Sequence, residues 1–253
     1  MVFVAATKMF DFEARILEIR DYVDEGKLQV RVLRFSTEKA PDFDFKPGQF
    51  VMIYTDSVKS LNNPEKPKLS SMSICSAPHQ KSFVELCIRM HDKPGPSVSR
   101  FIGENAKAGD TLHLKGPFGV FGMVENQKTV GFVGTGTGIA PLMGMLRHLI
   151  FTKFKGKIVF FYGCRNKNDF LYGDELVAAE KSNPNLELQV IFSRESFRGK
   201  QGYVQELLKE YKFPQDNKSM HFYLCGNPAA VQEEKEVLAS LGFSEEQVHD
   251  ERW

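Results

Sequence analysis

The stretch TVGFVGTGTGIAPLMGMLRHL, Thr129 to Leu149, changes its pattern twice. A short apolar run, Val130 to Val133, breaks into a turn at Gly134, Gly136 and Gly138. Leu142, Met145, Leu146 and Leu149 then recur at helical spacing. Pro141 suits the first turn of that helix, where its missing N–H would have no partner in any case. A strand, a turn bare of side chains and a helix start form an anion seat, because free backbone N–H groups and the helix dipole converge there. The expected guest is a phosphate or pyrophosphate. A glycine-rich turn packed on its own helix gives the same local pattern, so the flanking sequence has to decide.

Downstream, Ile158–Tyr162, Leu188–Phe192 and Phe222–Leu224 are short, mostly apolar runs like Val130–Val133, as in strands buried on both faces. Helix-like segments lie between and after them: Pro141–Phe151, Asp174–Lys181, Tyr203–Tyr211 and Ala229–Leu241, the last stopped by Gly242. This alternation predicts a doubly wound parallel sheet. Ligands of such sheets bind beyond the carboxyl ends of the strands. Those ends carry Thr135, Gly136, Thr137 and Gly138, then Tyr162 to Arg165, then Ser193 and Arg194, then Cys225 and Gly226. A dinucleotide fits the row, with its pyrophosphate at the glycine turn, adenosine over the third strand end and nicotinamide near the fourth.

The upstream half has period 2. Gln29–Phe35 begins as an alternation, and Val84, Leu86, Ile88 and Met90 alternate with Phe83, Glu85, Cys87 and Arg89. Thr111–Leu114 alternates again, and Pro- and Gly-bearing loops separate these runs. An antiparallel sheet or barrel is expected. Ser57–Lys68, polar and proline-bearing, reads as a surface loop. The two halves predict an antiparallel β-barrel domain over 1–123 and a doubly wound α/β domain over 124–253.

Composition narrows the function. The chain has 253 residues, 33 basic and 32 acidic, with a net charge of +1, so no strong global field favours nucleic acid as a partner. Cys75, Cys87, Cys164 and Cys225 are scattered, without the spacing of an iron–sulfur cluster or zinc ribbon, and no metal site is expected. The N-terminus is a poor signal peptide, and no apolar run is long enough to span a membrane. A cytoplasmic location is expected.

Two further stretches bear on ligands. Ser193, Arg194, Arg198, Lys200 and Tyr203 supply hydroxyl and cationic groups suited to a 2′-phosphate, although a solvated basic loop has the same composition. Gly95, Ser97 and Ser99 precede an apolar helix-like stretch, as a second phosphate seat or simply as a serine N-cap.

The order of motifs resembles the ferredoxin–NADP⁺ reductase family of flavoproteins over nearly the whole length. The landmarks are FKPGQFVMI (Phe45–Ile53), SMSICSAP (Ser71–Pro78), ELCIRMH (Glu85–His91), GPSVSRFI (Gly95–Ile102), AGDTLHLKGPFGVF (Ala108–Phe121), GTGTGIAP (Gly134–Pro141), FFYGCRN (Phe160–Asn166), FSRE…GYVQ (Phe192–Gln205) and YLCGNP (Tyr223–Pro228). The resemblance implies a flavin-binding barrel followed by a nucleotide-binding domain, and an enzyme that passes hydride between NADP(H) and FAD, with FMN the lesser alternative. Single electrons would then pass between the flavin and ferredoxin or flavodoxin, with the chain working as a monomer. The family's Arg-x-Tyr-Ser flavin motif aligns with Ser70-Ser71-Met72-Ser73, so the arginine and tyrosine positions hold Ser70 and Met72. The resemblance assigns Ser70, Met72, Ser73, Ile74, Cys87, Ile88, Arg89, Gly95, Val98 and Ser99 to the flavin. It assigns Thr135, Gly136, Thr137, Gly138, Arg165, Ser193, Arg194, Lys200, Tyr203, Cys225 and Gly226 to the dinucleotide. Ser73, Cys225 and Glu251 are expected at the reacting rings, with the terminal Trp253 covering the flavin. The other readings are an NADH-dependent reductase or electron-transfer subunit serving an oxygenase or larger redox complex, and a nucleotide-binding module without turnover.

Overall fold

The computed structural model describes residues 8–91, 94–214 and 219–252. The chain forms two compact units. One contains residues up to Gly122 together with Met143–His148, and the other contains Met123–Leu142 and residues from Leu149 onward.

Among the described residues, the first unit has six strands: β1 (Phe10–Asp24), β2 (Lys27–Ser36), β3 (Phe50–Tyr54), β4 (Ser70–Ser73), β5 (Phe83–Arg89) and β6 (Thr111–Phe118). All pair antiparallel in the order β4-β3-β6-β1-β2-β5. The two edges meet where Ile74 bridges Leu86 and the Cys75 N–H donates to Glu85 O at 2.8 Å, so the sheet curls into a nearly closed barrel. Phe12, Ala14 and Ile16 of β1, Leu33 and Phe35 of β2, and Val84, Leu86 and Ile88 of β5 fill one core. Helix α1 (Val98–Asn105) packs Val98 and Ile102 against it.

The outward face of β5 carries Glu85, which is 1% exposed and held by two guanidiniums. Arg34 Nε lies 2.8 Å from one carboxylate oxygen, and Arg147 Nη1 lies 2.7 Å from the other. Burial alone would push this carboxyl up, but Arg147 and Arg34 outweigh it and hold it below the ordinary value.

Among the described residues, the second unit holds a five-stranded sheet: β7 (Thr129–Thr135), β8 (Lys157–Cys164), β9 (Leu186–Phe192), β10 (Met220–Gly226) and β11 (Val248–Arg252). Every pairing is parallel, and the order is β11-β10-β7-β8-β9. Helices α2 (Ile139–Phe151), α3 (Gly173–Ser182), α4 (Val204–Glu210) and α5 (Pro228–Ser240) connect the strands. The chain steps outward from β7 through β8 to β9, then returns to place β10 on the other side of β7. That reversal is the topological switch point where doubly wound sheets bind ligands. The polar edge strand β11, not expected from its sequence, adds a fifth strand end to the four predicted. Among the described residues, no helix is long and apolar enough to cross a membrane.

Candidate functional site

The switch point is built from backbone. After β7 the chain makes one turn of 3₁₀ helix, Gly136–Gly138, and runs directly into α2. Gly136 has φ +53°, a left-handed conformation that favours glycine. A Cβ on Gly138 would overlap the carbonyl oxygen of Cys225 and come within 2.5 Å of Gly226 Cα. A Cβ on Gly226 would overlap Thr135 Oγ1, which accepts the Asn227 N–H at 3.3 Å. The ends of β7 and β10 therefore touch main chain to main chain, and the crevice floor is bare. Helices α2 and α5 start from these adjacent strand ends, α5 with Asn227 as its N-cap and Pro228 in its first turn. Two helix starts beside a floor without side chains suit a pyrophosphate.

Tyr162 supports this turn, a role with no local signal in the sequence. Its ring is fully buried in β8, and its hydroxyl donates to Gly136 O at 2.9 Å. The bond draws that carbonyl, repulsive to an anion, toward the sheet. Tyr162→Phe is expected to weaken pyridine dinucleotide binding by about three- to tenfold, the worth of one neutral hydrogen bond. Equilibrium titration with NADP⁺ checks this, and unchanged affinity would remove Tyr162 from the seat.

At the end of β9, Ser193 N–H donates to Cys164 O at 2.9 Å and Arg194 N–H to Arg165 O at 2.8 Å, extending the ladder past the strand. The loop that follows is braced by Phe197, whose ring lies tilted 4.5 Å from Phe192 and edge-on 5.9 Å from Phe170. Arg194 and Tyr203 are exposed and Ser193 half-buried, which leaves a guanidinium, a phenol and a hydroxyl on one short loop. Lys200 pairs with Glu210, and Arg198 lies 4.0 Å from Glu180. Arg165 is held by Asp169 through a two-point contact.

Cys225 and Glu251 are 26 residues apart in sequence but face each other in register on β10 and β11. The Cys225 side chain is fully buried. Trp253 lies outside the described residues.

On the barrel, Ser70, Met72 and Ser73 pair through β4 with Ile53, Val51 and Phe50. Ser73 is 7% exposed, Ile74 is in the barrel core, and Met72 packs against that core from a half-buried position. Ile88 also faces inward, so it can offer a ligand only its backbone, whereas Cys87 and Arg89 lie on the outward face of β5. Burial pushes the Cys87 thiol well above its ordinary value, which makes it a packing group rather than a nucleophile. At the start of α1, Ser97 Oγ accepts the Arg100 N–H at 3.2 Å and meets Ser99 Oγ at 2.9 Å, so the serine cap is real. Val98 packs in the core. Gly95, with φ +97°, turns the chain into the cap.

Two domain families match the chain: the oxidoreductase FAD-binding domain over residues 25–123 and the oxidoreductase NAD-binding domain over residues 132–235. The glycine betaine monooxygenase reductase subunit of Pseudomonas aeruginosa is 29% identical over 227 residues, covering 88% of this chain and 60% of that protein. The chain thus spans about three fifths of that relative's length. Ferredoxin–NADP reductase B of Sorangium cellulosum is 29% identical over 250 residues, covering 96% of this chain and 97% of that protein. Among solved structures, a ferredoxin NADP⁺ reductase from Neisseria gonorrhoeae with bound FAD and NADP shares the fold, with a TM-score of 0.76 at 19% identity over 96% of this chain and 98% of that one.

Proposed function

The chain belongs to the ferredoxin–NADP⁺ reductase family of flavoproteins, and we propose that it is an NADPH-linked reductase acting on ferredoxin or flavodoxin. The observation that carries this reading is the bare floor at Gly138 and Gly226, with Ser193, Arg194 and Tyr203 on the loop after β9. When bound, FAD and NADP(H) would supply hydride transfer and the conversion of a two-electron step into single-electron steps. In this reading, Gly136 and Gly138 seat the dinucleotide's pyrophosphate, and Tyr203 covers its adenine. Arg194 and Ser193 take the 2′-phosphate, the guanidinium by a forked contact that a lysine would not reproduce. Ser73 offers a hydroxyl to the flavin edge, while Cys225 and Glu251 shape the nicotinamide end and keep water out. Cys225 acts by shape, being fully buried, with no role as a nucleophile. This reading includes a monomer in the cytoplasm; that Cys75, Cys87, Cys164 and Cys225 are buried and outside any disulfide suits a reducing compartment.

A second reading, a reductase passing electrons to an oxygenase, is supported by the Pseudomonas aeruginosa relative, a monooxygenase reductase subunit; NADH would be the donor in that reading. The ratio of kcat/KM for NADPH and NADH separates the two. A preference of about tenfold or more for NADPH is expected, about 1.4 kcal/mol of selective binding, and Arg194→Ala should narrow it. A preference for NADH would sink the NADP assignment. An absorption spectrum without flavin bands, in protein that FAD and FMN cannot reconstitute, would remove the enzyme reading. Reduction rates with ferredoxin, flavodoxin and an oxygenase component then identify the acceptor.

A further inference from the structure

The segment between β3 and β4, residues 57–68, has no period in the sequence, yet it closes into a hairpin. Lys59 bridges Pro67, Ser60 N–H donates to Lys66 O at 3.0 Å, and Lys68 N–H donates to Val58 O at 2.8 Å. The hairpin brings two side chains to the start of α1. The Lys68 ammonium donates to Pro96 O at 2.7 Å, directly before the Ser97 cap. Leu61, which is 75% exposed, has its Cδ1 3.9 Å from the point where a Cβ on Gly95 would lie.

Neither arrangement is explained by folding alone. An ammonium has three donors, and the Pro96 carbonyl takes one without neutralising the charge. Among the described residues, no carboxylate lies within ion-pair distance of Lys68. The other end of this small surface is a large apolar side chain left in water. Between them lie Gly95, with its open backbone, and the first turn of α1. There the Val98 and Ser99 N–H groups have no intrahelical partner, because the Ser97 cap is spent on Arg100. A cation, backbone donors and an apolar face, in that order, match a pyrophosphate joined to an adenine.

We propose that this hairpin is the adenylate side of the FAD seat: Lys68 contacts the flavin pyrophosphate and Leu61 packs against the adenine. The assignment rests on the flavoprotein reading above. It answers a chemical need that β4 leaves open, since Ser70 has no charge to set against two phosphates and Lys68 stands two residues before it, with its ammonium at the start of α1. It also predicts the choice of flavin, because FMN has neither a second phosphate nor an adenine. Arg89, at the end of β5, is the competing cation.

Titrating riboflavin, FMN and FAD into deflavinated full-length protein, followed by quenching of flavin fluorescence, tests the proposal. The wild type is expected to bind FAD about tenfold or more tighter than FMN. Lys68→Met should weaken FAD about tenfold or more, the range of a charged hydrogen bond, and leave riboflavin unchanged. Lys68→Arg should retain FAD. Leu61→Ser should weaken FAD several-fold and leave FMN unchanged. If Lys68→Met binds FAD like the wild type, or if Arg89→Met takes the loss instead, the assignment of Lys68 is overturned. Wild-type protein that binds none of the three flavins is a different result, and it removes the flavoprotein reading itself.

Discussion

Gly138→Ala is expected to cut NADPH-dependent turnover by about a hundredfold or more, the penalty for an ångström-scale displacement at a reacting site, while the flavin spectrum is retained. The added methyl group collides with the carbonyl of Cys225 and with Gly226 Cα, both main-chain atoms of a strand inside the sheet. A side chain could rotate away, but these atoms move only if the end of β10 or the whole glycine turn shifts. Either movement pulls apart the two strand ends that form the floor of the crevice. Gly134, four residues earlier, makes the control. A Cβ there would first meet Leu142 Cδ1 at 3.1 Å, the far end of a flexible side chain, so Gly134→Ala should lose far less. Stopped-flow reduction of the bound flavin by NADPH measures both variants. If Gly138→Ala binds and oxidises NADPH like the wild type, the glycine turn is not the pyrophosphate seat.

The glycine turn was legible because its signal is local: strand, bare turn, proline and helix lie within one stretch. The contact that explains Gly138 was not. It depends on β10 returning beside β7, and strand order is a tertiary fact that periodicity does not encode. The same holds for Cys225 and Glu251, whose pairing needs β11, a polar edge strand with no apolar run to announce it.

In the barrel, the alternation Phe12, Ala14, Ile16 was present in the sequence, but the register shift between Ile16 and Glu18 leaves Leu17 44% exposed and breaks the period. Reading the barrel from Gln29 misses β1 for that reason. The approach of Lys68 to Pro96 leaves no signal in the sequence, because a hairpin held by backbone bonds shows no period at all. The expected domain boundary near 124 is a cut in sequence. In the structure Met143–His148 cluster with the barrel, Arg147 donating to Cys75 O at 2.8 Å as well as to Glu85. Single-letter pattern gives no sign that a buried helix turn carries an arginine for a carboxylate on β5.

Helix α5 holds the group with the largest expected effect on stability. Its inward face is Val231, Glu234, Val237 and Leu238, so a carboxylic acid occupies a core position. Glu234 is fully buried, and neither of its oxygens has a hydrogen-bond partner. Burial, helped by the neighbouring charge of Glu233, pushes its carboxyl from the ordinary 4.5 up to about 9. The folded protein therefore keeps a proton that the unfolded chain releases at any pH between those values. The contribution of this group to stability is complete below about pH 4.5. It then falls by about 1.4 kcal/mol per unit as pH rises, until the folded group itself ionises. Burial holds His79, His148, His221 and His249 below 6.5, so their effect has the opposite sign, and it fades only above about pH 7.5, where the unfolded imidazoles have lost their protons. Burial also raises the Cys87 and Cys164 thiols, which matter near pH 8.5. Glu234→Gln keeps all these groups and cannot ionise at this position, so its difference from the wild type isolates Glu234. In urea denaturation from about pH 6.5 to 8.5 the wild type should lose about 3 kcal/mol relative to Glu234→Gln, two units at the linkage slope. Glu234→Leu should follow the slope of Glu234→Gln and be more stable than the wild type at about pH 8.5, because it replaces an unpaired buried carboxyl with apolar packing. Parallel slopes for the wild type and Glu234→Gln would mean that the carboxyl finds a partner or water in solution, and the raised value would then be wrong.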